Sequence, residues 1–224
     1  MGTRVELKSR SGGEMSAELA SPDGSTKGPA VVLIQEFWGV NDHIRSIAAR
    51  LADAGFFVVA PDLYHGKLAK DASEAGAMMK GLDRMQALDE IAGAVHFAAH
   101  HARSNGKVGV IGFCMGGAYA LAAASVVPGI AAVVPFYGLP PEADYTKIKA
   151  PVLMHVASKD GWVKPALAEA VKATVDAAGG SMELHIYEAD HAFFNDTRPE
   201  VHNPDAAKLA WERSISFLRK HLAA

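Results

Sequence analysis

Short runs of apolar residues alternate along the chain with longer segments in which apolar residues recur every three to four positions. Apolar runs of this kind, bounded by turn residues, are typical of buried β-strands, whereas the longer periodic segments are typical of helices. The predicted buried strands are residues 30–34, 56–60, 108–111, 130–136, 151–156 and 182–187. The predicted helices are residues 42–55, 72–101 (which Gly81 can interrupt), 118–125, 165–178 and 204–221.

Two shorter extended segments, residues 5–8 and 14–20, precede these elements and are separated by the turn sequence SGG at 11–13. They predict an antiparallel hairpin at the edge of a sheet. Strands that alternate with helices favour parallel pairing, because each helix carries the chain back to the start of the next strand. The sequence therefore predicts an α/β fold with a mostly parallel, doubly wound sheet of about eight strands and helices on both faces. No repeat or linker divides residues 1–224, so one domain is expected.

Composition narrows the classes of partner. The formal net charge is -3 and no basic run is present, which argues against a nucleic-acid partner. No apolar stretch approaches the roughly eighteen residues of a membrane span, and the N-terminus lacks a signal-peptide pattern. The single cysteine allows no internal disulfide and fits a reducing compartment. We therefore expect a cytoplasmic protein, monomeric or homodimeric, that acts on a small molecule.

Cys114 lies in the sequence GFCMGG at 112–117, between a predicted strand and a predicted helix. A nucleophile at the apex of such a turn has a strained backbone, and glycines leave room around it. The pattern is that of a nucleophile elbow, G-x-S-x-G, with cysteine in the place of serine. The N-terminus of the following helix is expected to favour a thiolate. The alternative is a buried structural cysteine without chemistry.

The partners of such a nucleophile should follow other strands, because reactive groups lie at the carboxyl ends of strands in a parallel sheet. Asp160 follows the predicted strand 151–156, and His191 follows the strand 182–187. A thiol, with a free pKa of about 8.5, needs an imidazole to take its proton and a carboxylate to orient that imidazole. We predict His191 as the base and Asp160 as the acid. Asp190 is an alternative acid, although its adjacency to His191 hinders their approach.

The loop after the strand 30–34 has the sequence QEFWG at 35–39. A loop at this place in the fold donates one backbone N–H to an oxyanion hole, and the residue after the nucleophile donates the other. Phe37 and Met115 are the predicted donors. Glu36 would then lie beside the thiol and could accept its proton, whereas the alternative is a structural ion pair between Glu36 and an arginine.

Four segments together resemble the dienelactone hydrolase (carboxymethylenebutenolidase) family: QEFWG at 35–39, APDLY at 60–64, GFCMGG at 112–117 and HAFFNDTRP at 191–199. The resemblance covers nearly the whole chain. It implies an α/β-hydrolase fold, no metal and no organic cofactor. It also implies a triad of Cys114, Asp160 and His191, with Glu36 activating the thiol when substrate displaces this carboxylate.

One departure from the family concerns substrate binding. Members that open dienelactones hold the substrate carboxylate with arginines and a tyrosine, and one arginine lies four residues after the catalytic histidine. This chain has Asn195 at that position. Arg198 is a candidate replacement, although it can equally pair with Glu200 or Asp196 at the surface. We predict substrate contacts from Trp38, Asn195 and Arg198.

These observations predict a hydrolase that cleaves a small ester or lactone through Cys114 and needs no cofactor or metal. Two alternatives remain at this stage. One is a general short-chain carboxylesterase with no affinity for anionic lactones, which the loss of the arginine favours. The other is a non-catalytic binding or thiol-sensing protein that uses Cys114 for reversible oxidation.

Overall fold

The computed structural model describes residues 2–24 and 27–223, which fold around an eight-stranded sheet. The strands are β1 (Thr3–Lys8), β2 (Glu14–Ala20), β3 (Gly28–Ile34), β4 (Phe57–Pro61), β5 (Ser104–Phe113), β6 (Ile130–Phe136), β7 (Val152–Ala157) and β8 (Met182–Tyr187). The helices are α1 (Asp42–Asp53), α2 (Ala72–Gly81), α3 (Arg84–His100), α4 (Met115–Val126), α5 (Pro165–Ala177) and α6 (Pro204–Leu222), with a short 3-10 turn at Tyr145–Lys147.

The strand order in the sheet is β1-β2-β4-β3-β5-β6-β7-β8. The pairs β1–β2 and β2–β4 are antiparallel, and every other neighbouring pair is parallel. The predicted α/β architecture, with an N-terminal hairpin at one edge of a mostly parallel sheet, is confirmed.

Strand β3 shows why the central strands are continuous apolar runs. Successive side chains of a strand point to opposite faces of the sheet. Val32 and Ile34 pack into one core with α3, α4 and α5, whereas Val31 and Leu33 pack into the other with α1 and α6. All four side chains are fully buried, because helices cover both faces of the sheet.

Two element boundaries deserve comparison with the sequence. The break near Gly81 is confirmed: α2 ends at Gly81, and the side chain of Asp83 accepts a hydrogen bond from the Gln86 N–H to begin α3. Strand β5, by contrast, begins earlier than predicted, at Ser104 rather than after the turn at 104–106. Ser104 pairs with Gly28 across the sheet, which extends the ladder through residues whose local sequence favours a turn.

The topology brings the predicted site residues to one edge of the sheet. The carboxyl ends of parallel strands meet at the same edge, and β3, β5, β7 and β8 are followed respectively by Glu36, Cys114, Asp160 and His191. Within residues 2–24 and 27–223, no helix has both the length and the apolar character that crossing a membrane requires.

Candidate active site

Cys114 lies at a sharp turn between β5 and α4, with backbone angles φ 54° and ψ -115°. A non-glycine residue in this region is strained, so the surrounding structure must hold it there. Two glycines make that possible by allowing close packing of the backbone. A Cβ at Gly112 would overlap the carbonyl of Gly116, and a Cβ at Gly116 would overlap the carbonyl of Ile34 at the end of β3. The strand, turn and helix predicted around Cys114 are therefore present.

His191 bridges the thiol and Asp160. Its Nε2 lies 3.1 Å from Cys114 Sγ, and its Nδ1 lies 2.7 Å from Asp160 Oδ2. The Asp160 side chain is fully buried, whereas that of His191 is 22% exposed. Because a carboxylate accepts hydrogen bonds, the Nδ1 atom carries a proton and Nε2 presents its lone pair to the thiol in the neutral ring. This is the orientation that a base acting on Cys114 requires.

Asp160 is held as a carboxylate by several donors. Burial raises its pKa, but hydrogen bonds from His191 and from the backbone N–H groups of Val163 and Trp162 outweigh burial, so that its pKa is lowered overall. The two backbone N–H groups lie 2.9 Å and 2.7 Å from Asp160 Oδ1. Asp160 therefore stays ionised and fixed in place while the imidazole accepts or releases a proton.

The elbow favours a thiolate as expected, through the Met115 N–H, but it does not by itself make Cys114 a thiolate. Burial raises the pKa of Cys114 to about 12, and the nearby charges of Glu36 and Asp160 add to this effect. The backbone N–H of Met115 acts in the opposite direction, but it does not outweigh the loss of solvent. Cys114 is consequently a neutral thiol in the resting protein, and a base must take its proton before it can react.

Glu36 is buried at the end of β3, with 2% of its surface exposed. Its Oε2 accepts a hydrogen bond of 2.7 Å from Asn195 Nδ2. Burial raises its pKa, against the opposing influence of His43, of the Asn195 hydrogen bond and of the charges of His191 and Arg198. A carboxylate with a raised pKa is a better proton acceptor, which suits a base near a thiol. The alternative of a structural ion pair with arginine is not what the structure contains, since the direct partner of Glu36 is an amide.

The loop 36–39 forms a turn in which the Gly39 N–H donates to the Glu36 carbonyl. The N–H groups of Phe37 and Trp38 take no part in that hydrogen bond. Trp38 is half-buried and its ring lies 4.6 Å from that of Phe37 in an edge arrangement. The N–H of Phe37, a predicted oxyanion-hole donor, is therefore not used in the hydrogen bond that closes the loop.

The three predicted substrate contacts have different surroundings. Arg198 lies 5.9 Å from the centre of the Trp38 ring, and its Nε donates to Glu200 at 2.8 Å. Asn195 is buried, with its amide directed at Glu36 and its carbonyl oxygen accepting from Thr197. Trp38 and Arg198 are therefore half-buried neighbours, whereas both polar atoms of Asn195 are occupied inside the protein.

Three further residues surround the site and were not singled out from the sequence. Trp162 is 65% exposed and its ring lies 5.2 Å from that of His191. The Tyr137 ring lies 5.1 Å from His191, and its buried hydroxyl faces Glu36. His43 lies in the first turn of α1 and binds Asp196. The position of Tyr137 directly after β6 was the one available signal, because that strand end belongs to the same edge of the sheet.

Comparison with known proteins shows which family the chain is related to. Residues 15–222 match the dienelactone hydrolase family. This chain belongs to the dienelactone hydrolase family. It is 33% identical over 233 residues to a putative carboxymethylenebutenolidase of Aquifex aeolicus, covering 99% of this chain and 100% of the relative.

Two further proteins support the assignment of this chain to the dienelactone hydrolase family. It is 30% identical over 226 residues to a carboxymethylenebutenolidase of Pseudomonas putida, covering 96% of this chain and 94% of the relative. The crystal structure of a putative dienelactone hydrolase from Klebsiella pneumoniae has a TM-score of 0.85 and 27% identity, covering 98% of this chain and 99% of that chain. The α/β-hydrolase fold is thereby confirmed, and the protein is a carboxylic ester hydrolase.

The described residues offer no evident metal centre. Among residues 2–24 and 27–223, no three His, Cys, Asp or Glu side chains converge as ligands for an ion. The polar groups at the site instead form a row of contacts from Cys114 through His191 to Asp160, and the charge of Glu36 acts on the thiol. Such groups can move protons and stabilise charge.

Proposed function

We propose that this protein hydrolyses a small ester or lactone through a covalent intermediate on Cys114. The observation that carries the proposal is the imidazole of His191, which contacts Sγ at 3.1 Å and the buried Asp160 carboxylate at 2.7 Å. A buried structural thiol needs no imidazole oriented by a carboxylate. A thiol that carries an acyl group during turnover needs one, because the imidazole activates the water that releases the acyl group.

In the first half of the reaction, Cys114 loses its proton and Sγ attacks the carbonyl carbon of the substrate. Glu36 is the proposed acceptor of the thiol proton, since it is buried beside Cys114 and its pKa is raised. The carbonyl oxygen becomes an oxyanion, which the N–H groups of Phe37 and Met115 stabilise. The tetrahedral intermediate then collapses, the bond from the carbonyl carbon to the leaving-group oxygen breaks, and the alkoxide takes the proton that Glu36 accepted from the thiol.

In the second half, water cleaves the thioester on Cys114. His191 accepts a proton from the attacking water, with Asp160 stabilising the imidazolium that forms. Sγ leaves as the acyl carbon binds the new hydroxyl, and the acid product departs. The proton on His191 returns to Sγ, which restores the resting thiol at 3.1 Å from Nε2.

The substrate proposal remains at the level of small esters and lactones. Arg198 lies near Trp38 but forms an ion pair with Glu200, and Asn195 is directed at Glu36. These contacts favour a general short-chain carboxylesterase as the second candidate, because Arg198, the predicted partner of a substrate carboxylate, is already paired with Glu200. Comparison of kcat/KM for a neutral ester and an anionic lactone distinguishes the two. A preference for the lactone supports the dienelactone activity.

The thiol chemistry also bears on where the protein works. Cys114 must remain reduced to act as a nucleophile, and we propose a reducing compartment such as the cytoplasm. The thiol-sensing alternative is disfavoured by the high pKa of Cys114, because oxidants react with thiolates rather than thiols.

The first test is the Cys114→Ala variant with p-nitrophenyl acetate and a dienelactone as substrates. We expect kcat/KM to fall by about 10⁴-fold or more, since the nucleophile is absent. Thermal unfolding should show that the variant keeps its fold. A folded variant with full turnover would remove the mechanism.

A further inference from the structure

Trp162 is an exposed aromatic residue beside the imidazole of the site. The residue is 65% exposed, and its ring centre lies 5.2 Å from that of His191, with the two ring planes tilted by 41°. Single exposed apolar residues are common on protein surfaces. Trp162 differs from these because it contacts a side chain that takes part in the proposed reaction. The mechanism proposed above gives this ring no role.

The backbone of Trp162 is held by the same carboxylate that orients His191. The Trp162 N–H donates to Asp160 Oδ1 at 2.7 Å, and the Val163 N–H donates to the same oxygen at 2.9 Å. The other oxygen of this buried carboxylate lies 2.7 Å from His191 Nδ1. One side chain therefore fixes both the imidazole and the backbone from which the indole extends.

His191 has two aromatic neighbours that differ in exposure. The Tyr137 ring lies 5.1 Å from the imidazole and is fully buried, with the rings of Phe113 and Phe193 packed near it. The Trp162 ring lies at nearly the same distance from the imidazole but faces solvent. A molecule that arrives from solvent can therefore pack against Trp162 but not against Tyr137.

The proposed reaction determines which part of a substrate lies near His191. In its second half the imidazole takes a proton from the attacking water, so this water lies next to Nε2, which is 3.1 Å from Sγ. The acyl group stays on Sγ and its oxygen stays with the same N–H donors, so the water takes the place that the leaving oxygen had. The alcohol portion of an ester is therefore the portion next to His191, and Trp162 is the exposed ring beside it.

We propose that Trp162 is a specificity-determining residue that packs against the alcohol portion of the substrate, so that the protein prefers esters of phenols to esters of saturated alcohols. The proposal rests on the function proposed above. The indole offers a flat apolar surface, and two aromatic rings in contact gain free energy beyond that of the area they bury. The chemical steps are unchanged, and the leaving phenolate takes the proton that Glu36 accepted from the thiol.

A comparison of leaving groups tests the proposal. Phenyl acetate and cyclohexyl acetate share an acyl group and differ in the alcohol. Trp162→Leu keeps an apolar side chain but loses the aromatic face, so we expect it to lower kcat/KM for phenyl acetate about fivefold more than for cyclohexyl acetate. Trp162→Phe should restore most of that difference. Because each ester is compared between wild type and variant, the unequal intrinsic reactivity of the two esters cancels.

The acyl portion provides an internal control. Phenyl butyrate has the same alcohol portion as phenyl acetate, so Trp162→Leu should lower kcat/KM for both by the same factor. Val126→Ala is the control for loss of an exposed apolar side chain, since Val126 is 55% exposed and lies at the opposite end of α4 from Cys114. It should leave the preference between the three esters unchanged.

Two results would overturn the proposal. Equal losses for phenyl acetate and cyclohexyl acetate in Trp162→Leu would mean that the ring acts on His191, by stabilising the imidazolium, rather than on the substrate. A loss that changes with the length of the acyl chain would mean that the acyl portion, not the alcohol portion, lies against the ring.

Binding without turnover separates this proposal from the proposed mechanism. In ¹⁵N-labelled Cys114→Ala protein, the indole N–H signal of Trp162 can be assigned by its loss in the Trp162→Leu variant. We expect phenol to shift this signal and cyclohexanol to shift it much less. Equal shifts, or no shift with phenol, would contradict the proposal. A fully active Cys114→Ala variant would refute the thioester mechanism, whereas the phenol titration would still report whether Trp162 binds an aromatic alcohol.

Discussion

The two histidine–aspartate pairs of this protein have reversed exposure. In the pair that contacts the thiol, the Asp160 side chain is 0% exposed and His191 is 22% exposed. In the second pair, His43 is 1% exposed and Asp196 is 51% exposed. In the first pair the carboxylate is buried and the imidazole is partly exposed. In the second pair the imidazole is buried and the carboxylate is exposed.

The difference in burial means that the two carboxylates hold their histidines differently. A buried carboxylate held by several donors keeps its charge and its position, so Asp160 provides a constant orientation for His191. An exposed carboxylate is screened by water and salt, so Asp196 holds His43 more weakly. We infer that the first pair serves the proposed chemical step and that the second lies outside it.

The strongest test of this comparison makes the same substitution in each pair. Asp160→Asn keeps an oxygen for the N–H groups of Val163 and Trp162 but favours the wrong tautomer of His191, and we expect kcat to fall by about 10⁴-fold. Asp196→Asn should lower kcat by less than about tenfold at pH 8, because an exposed pair contributes little. Steady-state kinetics on p-nitrophenyl acetate measures both. Equal losses in the two variants would contradict the division of roles.

The Glu36→Gln variant should change turnover and the reactivity of the thiol in opposite directions. Loss of the base should lower kcat/KM by about 10²-fold. Loss of the negative charge should lower the pKa of Cys114 from about 12, so alkylation of the thiol by iodoacetamide at pH 8 should become faster. The exposed Glu169→Gln on α5 should change neither rate. Slower alkylation together with unchanged turnover would show that Glu36 does not act on the thiol.

A third histidine, His155, takes no part in the proposed reaction. His155 in β7 is fully buried, with Nδ1 2.8 Å from the Tyr187 hydroxyl and Nε2 2.9 Å from Ser214 Oγ. The Ser214 hydroxyl donates to the Ala210 carbonyl, so Nε2–H is the donor and Nδ1 the acceptor. Burial, together with the positive charges of His185 and Arg213, lowers the pKa of His155 well below its usual value.

This histidine should affect stability rather than turnover. Below about pH 6.5 the unfolded chain binds a proton at His155 that the folded protein does not, so the free energy of unfolding falls as the pH drops, by up to about 1.4 kcal/mol per pH unit. His155→Gln should reduce that slope in urea unfolding between pH 7 and pH 5, while the exposed His100→Gln should not. An unchanged slope in His155→Gln would mean that His155 is protonated in the fold.

The sequence allowed more of the fold than of the site to be predicted. Strands covered on both faces, such as β3, are continuous apolar runs, and glycines around Cys114 mark the turn, so both features are visible locally. The direction of the pKa shift at Cys114 is not visible in the local sequence, because the burial of the thiol and the charge of Glu36 come from distant parts of the chain. His43 is 153 positions from Asp196, and no local pattern joins the two.

The central claim, that Cys114 carries the acyl group during turnover, is tested most directly by mass spectrometry of protein quenched with acid while it hydrolyses p-nitrophenyl acetate. We predict one added acetyl group, found on the peptide that contains Cys114 and absent from Cys114→Ala. Turnover with no acetyl group on that peptide, or with the group on another residue, would contradict the account.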